Sequence, residues 1–185
     1  MNRKKTRQIY QLKVTLKGSK PPIWRRLLVP SDIRLDELHR VLQTAMGWMN
    51  CHLHQFMADN VYYSLAAEGF ALDFDMEDER RYRLSDLLWT ENDSLIYEYD
   101  FGDSWEHKVV LEKILPDDGE QPLPICIKGS RACPPEDCGG IWGYSQLLEV
   151  LKNPAHPEYE DMVEWLGGES GSEAFDVKSV NWRLK

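Results

Sequence analysis

Three of the four cysteines, Cys126, Cys133 and Cys138, stand in a C-x6-C-x4-C pattern within one segment rich in glycine and proline. Thiolates are good zinc ligands, and a tetrahedral site needs one further donor. His107, which closes YDFGDSWEH, is the first candidate for it, and His156 in NPAHPEY the second. The spacing lacks the tight CxxC knuckle of strong zinc motifs. Zinc is the metal that Cys126, Cys133, Cys138 and His107 would take, in a structural rather than a catalytic role. The same segment admits a nucleophile, because Asp137-Cys138-Gly139-Gly140 would place a thiolate on a turn with free amides and His107 as base. Glu136 and Asp137 oppose this, since adjacent carboxylates disfavour a thiolate. The favoured expectation is packing, with Pro134, Pro135 and Trp142 on a hairpin and glycines supplying turns.

Carboxylates form the other chemical group: Asp100, Asp103 and Glu106 at the tip of one hairpin, and Glu136 with Asp137 in the thiol segment. Clustered carboxylates raise one another's pKa or hold a cation, whereas isolated turn acids cap their own backbone. Asp100, Asp103, Trp105, His107, Glu136 and Asp137 are accordingly the candidate binding residues. His52 and His54 alternate along a strand and share a face. With no third ligand beside them in sequence, hydrogen-bonded imidazoles near Trp48 are preferred to a metal pair. His39 reads as a half-exposed helix histidine, and the acidic run DFDMEDERR at 73–81 as a solvated loop.

These residues need elements to position them. Tyr10, Leu12, Val14 and Leu16 alternate with polar residues, the period of a half-buried strand. A turn over 18–22 and a second strand over 23–29 complete an opening hairpin. Leu35, Leu38, Val41, Leu42, Ala45 and Met46 fall at helical spacing, with Gly47 suited to the C-terminal cap. The segments 95–101 and 105–111 form the clearest hairpin. A two-residue turn would scatter its apolar residues. A three-residue loop pairs Phe101 with Trp105, Tyr99 with His107 and Glu98 with Lys108, gathering the apolar set on one face. His107 then points into an aromatic wall. Tyr144, Leu147, Leu148 and Leu151 form one helical face, and Tyr159, Met162, Val163 and Leu166 another, begun near Pro157 and ended by Gly167-Gly168. The fold expected is α+β: an antiparallel or mixed sheet in ββαβ order, one helix after the first hairpin, and two C-terminal helices on the sheet.

At 185 residues, 42% hydrophobic and 29% charged, the chain suits one globular domain spanning 1–185. It has no apolar run of membrane-spanning length and no signal-peptide core, so a cytoplasmic protein with reduced cysteines is expected. The net charge of −9 is unevenly placed. Residues 1–48 hold 11 Lys and Arg against 3 Asp and Glu, a net +8, and the remainder carries −17. That asymmetry favours docking of the two parts within one fold. A protein partner or small ligand is preferred to nucleic acid, because the acidic remainder would repel phosphate.

Together PPIWRR at 21–26, LDELHRVLQTAMGW, HLHQF at 52–56, YDFGDSWEH at 99–107 and CPPEDCGGIWGY at 133–144 resemble one family. It is the Ri-plasmid ORF-three-like family (pRiA type), often labelled a transposon-passenger TnpR-like protein. The resemblance runs from Tyr10 to Leu184 and implies an α+β protein of bacteria or archaea, with no established reaction. Arg34 departs from the hydroxyl cap usual before LDELH. The resolvase label is not supported by the residues: a serine recombinase surrounds its nucleophile with arginines, whereas Arg25 and Arg26 alternate on a strand and face opposite ways. The function expected is that of a non-enzymatic binding or accessory protein associated with mobile elements. The alternatives are a metal- or thiol-dependent enzyme built on Cys126, Cys133, Cys138 and His107, and a DNA-associated protein using the basic first 48 residues.

Overall fold

Alternation of apolar and polar side chains dictates where the core lies. Tyr10, Leu12, Val14 and Leu16 are all buried on one side of the first strand, and α1 covers that side. The computed structural model describes residues 8–65, 76–168 and 173–185. In chain order the elements are β1 (Gln8–Leu16), β2 (Trp24–Pro30), α1 (Leu35–Met46), β3 (His54–Ala58), β4 (Val61–Ser64) and β5 (Met76–Asp78). A 3-10 turn (Glu79–Arg81) follows, then α2 (Leu84–Leu87), β6 (Ser94–Tyr99), β7 (Trp105–Pro116) and β8 (Ile125–Ser130). The chain closes with α3 (Gly140–Leu151), α4 (Tyr159–Trp165) and α5 (Val177–Arg183).

The strands form one eight-stranded sheet in the order β5-β4-β3-β6-β7-β1-β2-β8. Every neighbouring pair is antiparallel except β4 with β5. The architecture is therefore the expected α+β class, with a third helix, α5, beyond the two foreseen near the C-terminus. Asp176 starts α5 by accepting the amides of Lys178 and Ser179 at 3.0 and 3.2 Å. That helix stands over β8, where Asn181 exchanges two hydrogen bonds with the Cys126 backbone.

At α1, Gly47 takes the left-handed conformation (φ 103°) and donates to Gln43 O, which closes the helix as expected. Arg34 supplies no cap of its own, but Glu37 accepts its backbone N–H at 3.2 Å. Buried His39 corrects the half-exposed expectation: it sits on the inner face of α1 beneath the sheet's tyrosines.

The 95–111 hairpin keeps the expected faces but not the expected register. Tyr99 lies opposite Trp105, Tyr97 opposite His107, and Glu98 opposite Glu106 rather than Lys108. A slide of two residues preserves side-chain parity, so the core face is unchanged while the loop grows to residues 100–104. The longer loop is stabilised locally. The Asp100 carboxylate accepts the amides of Gly102 and Asp103 at 2.9 and 3.4 Å, and Asp100 O accepts the Ser104 amide at 2.6 Å. Glu98 is relieved of its like-charged neighbour by Gln55 Nε2 and Ser104 Oγ, at 2.7 and 2.8 Å, while Glu106 pairs with Lys17.

Of the acidic run read as a solvated loop, residues 73–75 lie outside the described residues. The rest forms β5 and the 3-10 turn, and Glu79 is fully buried. Charge asymmetry appears as ion pairs across strands: Arg26 meets Glu112 in a fork at 2.6 and 2.8 Å, beside the Lys17–Glu106 pair. As the alternation of β2 requires, Arg25 points the other way, into the protein.

Candidate functional site

Three loops meet at one rim of the sheet. They are the turn after α1 (47–53), the hairpin tip (100–104), and the segment 134–139 that leads into α3. Trp48 fixes the first to the third by donating its indole N–H to Pro134 O at 3.0 Å. Met49 N donates to Glu136 at 2.8 Å, and Asp100 N donates to Leu53 O at 2.8 Å. Gly139 N reaches Asp103 at 3.2 Å, and a Cβ on Gly140 would stand 2.4 Å from Asp103 O. Only glycine allows α3 to begin so close to the hairpin tip.

His52 stands at the centre of this rim. Its Nε2 is 3.2 Å from Asp137, 3.5 Å from Glu136 and 3.7 Å from Asp100. Ligand atoms of His52, Asp100 and Asp137 all lie within 4.8 Å of one another. That spread suits one ion held by an imidazole and carboxylate oxygens. Tyr99 supports the arrangement: its hydroxyl donates to Glu136 at 3.1 Å and accepts the Cys51 amide at 3.0 Å. Burial, with Glu136 adding to it, raises the Tyr99 pKa to about 12, so the phenol stays a donor. Asn50, Asp100 and Asp137 at this rim have positive φ (58°, 59° and 57°), backbone that Asn and Asp tolerate at a modest cost. Beside Asp137 a cavity of about 390 Å³ opens between α3 and α4, walled by Cys138, Leu147, Met162 and Trp165.

Of the residues singled out from the sequence, Asp100, Glu136 and Asp137 are brought together around His52, with Asp103 one loop residue away. Trp105 and His107 lie beneath, in the core. His107 is walled by Trp48 and Tyr97, with ring centroids at 5.2 and 5.6 Å, and among the described residues neither imidazole nitrogen has a hydrogen-bond partner. Burial lowers its pKa to about 4, which keeps it neutral. No three of Cys126, Cys133, Cys138 and His107 present ligand atoms within 4.8 Å of one another. Burial raises the pKa of all three thiols, that of Cys138 to about 12 with Asp103 and Asp137 adding to the rise. They are thiols, not thiolates, at neutral pH.

A second polar group runs through the core. Tyr97 OH lies 2.9 Å from His39 Nδ1 and accepts from Gln43 Nε2 at 2.9 Å; His39 Nε2 is 2.7 Å from Asn50 Oδ1. The His39 and His54 rings stack at 3.4 Å, and His54 Nε2 meets buried Glu79 at 2.9 Å. Sequence reasoning named the His52–His54 doublet and the acids Asp100, Glu136 and Asp137 but did not join them, and it read Glu79 as part of a solvated loop. The acids come from segments distant in sequence, and His52 lies just before β3 rather than on its face with His54.

Residues 8–183 match the family described as plasmid pRiA4b ORF-3-like protein. A protein of Sinorhizobium fredii (strain NBRC 101917 / NGR234), named uncharacterized protein y4hQ, is 40% identical over 174 residues. That match covers 94% of this chain and 87% of the relative. The crystal structure of MM3350 from Methanosarcina mazei Go1, titled a protein of unknown function, superposes with a TM-score of 0.85 at 40% identity. It covers 93% of this chain and 97% of that one. Among the described residues no helix is long and apolar enough to cross a membrane.

Proposed function

The chain belongs to the plasmid pRiA4b ORF-3-like family, and from that premise we propose that it is a non-enzymatic binding protein whose ligand is a cation, held at the rim by His52, Asp100, Glu136 and Asp137. One observation carries the reading: three carboxylates converge on a single imidazole, with donor atoms of His52, Asp100 and Asp137 at ligand spacing. Three negative groups around one neutral or singly charged ring leave net negative charge, which a divalent cation compensates. Imidazole nitrogen with carboxylate oxygens suits manganese, a metal that a thiolate set would not favour. The neutral thiols and the buried His107 favour a packing role for the cysteine segment over a nucleophilic one, although Trp142, expected on the hairpin, is 83% exposed. An accessory role beside mobile elements, in the cytoplasm, is the setting that fits the family description.

Titration calorimetry with Mn2+ tests this. Wild-type protein is expected to bind one equivalent, and His52→Ala and Asp137→Asn to weaken binding at least tenfold. Cys133→Ser is expected to change nothing. Absence of binding, or binding indifferent to Asp137→Asn, would overturn the proposal.

A second reading has its own observation. Met49, Leu53 and Phe101, adjacent in sequence to the rim acids or their partners, are 73%, 64% and 47% exposed. Apolar side chains around an acidic centre suit the basic segment of a protein partner, whose Lys or Arg would take the cation's place.

A further inference from the structure

Arg25 is a buried guanidinium with no carboxylate partner among the described residues. Only 2% of it is exposed. Its Nε donates to Ala45 O at 2.8 Å, and Nη1 donates to Trp24 O and Ser130 O at 2.9 and 3.0 Å. The Phe175 ring covers its face, 4.2 Å from the guanidinium carbon. Gly129 makes room for that ring, since a Cβ there would stand 2.5 Å from it. These contacts use three of the guanidinium's N–H bonds, and among the described residues Nη2 has no hydrogen-bond partner.

A cavity of about 460 Å³ lies against this group, between the end of α1 and the start of α5. Arg183, an exposed cation, lines it together with Ser179, while Met46, Phe175 and Val180 supply an apolar wall. The one carboxylate in the lining, Asp176, is engaged with the amides that begin α5. Cys133 also borders the cavity, but burial holds its thiol protonated, so it brings no counter-charge. Peptide carbonyls solvate a guanidinium without neutralising it, and a buried cation ordinarily has an anion as partner.

We propose that this cavity binds a small organic anion, a carboxylate or phosphate ester, whose oxygens meet Arg25 Nη2 and the Arg183 guanidinium and whose apolar body lies against Met46, Phe175 and Val180. The volume falls in the range of small-molecule sites, and the planar guanidinium matches either oxyanion. The site is separate from the cation rim, and neither depends on the other.

The test is titration of the full-length protein with benzoate and with inorganic phosphate, against chloride at matched ionic strength, followed by melting temperature and calorimetry. At least one of the two anions is expected to bind saturably at one equivalent and to raise the melting temperature where chloride does not. Benzoate binding would identify the carboxylate class and phosphate binding the phosphate class. Arg183→Gln is expected to keep the fold, being an exposed change, and to weaken that binding at least tenfold. If neither anion acts beyond chloride, or if Arg183→Gln binds as well as wild type, the proposal is overturned.

Discussion

His39 and His107 hold neutral imidazoles inside the protein, and that sets a pH dependence. Burial is the main cause of both depressed values, each about 4; for His39 the neighbouring His54 adds to it and the Asn50 contact partly offsets it. An unfolded histidine titrates near 6.5. Between about pH 6.5 and 4 the unfolded chain therefore binds more protons than the folded one, so stability rises with pH across that window. The stability from these groups is complete above about pH 6.5 and is lost as pH falls towards 4, roughly 3 kcal/mol for each histidine. Urea denaturation at pH 7.5 and pH 4.5 measures it, and equal midpoints would contradict it. His107→Leu removes two buried nitrogens that have no partner, so it is expected to be neutral or stabilising at pH 7 and to flatten the acid slope. Tyr97→Phe acts oppositely. It strips the hydroxyl from both His39 and Gln43 and is expected to cost roughly 1–3 kcal/mol, because a buried donor loses its acceptor.

Elements position the site through close backbone approaches. Gly143 lies in the first turns of α3, and a Cβ there would stand 1.9 Å from Cys138 O. That backbone cannot yield without moving Asp137. Gly143→Ala is expected to destabilise by roughly 2–3 kcal/mol and to weaken Mn2+ binding by distorting the rim, although alanine is the better helix former. A melting temperature equal to wild type would contradict this. The same elements show what the sequence could reveal. Periodicity located β1, β2, α1 and α3, because each buries one face, and it located α4 from the spacing of Tyr159, Met162 and Val163, which are only half-buried. Parity also placed His107 on the core face, while the register slid by two residues. That slide hangs on local bonds of Asp100 and Ser104 that no hydrophobic count detects. α5 went unforeseen: its start is set by the Asp176 cap, and Val180 is its one buried residue. Asp100, Glu136 and Asp137 were legible as a group because carboxylates cluster in two short segments, although acids are common in turns. Their convergence on His52, and the burial of Glu79 against His54, depend on loops meeting across the sheet.

At the scale of the whole molecule, charge organises both binding surfaces. Three cations of the basic first 48 residues are engaged within the fold: Lys17 and Arg26 on acids of β7, and Arg25 on carbonyls. The chain as a whole is acidic, with a net charge of −9, which suits a cation as ligand at the rim. Exposed ion pairs of this kind contribute little each, about 0–1 kcal/mol, so moderate salt is expected to leave the fold intact while weakening cation capture. The rim and the Arg25 cavity thus offer opposite charges to solution from one sheet. The most direct test of the cation site is crystallographic: crystals grown with Mn2+, examined for anomalous scattering at the manganese edge. One peak is expected about 2.2 Å from His52 Nε2, with carboxylate oxygens of Asp100 and Asp137 at similar distances. A peak at the cysteines instead, or none at the rim of a protein shown to be folded, would contradict the account.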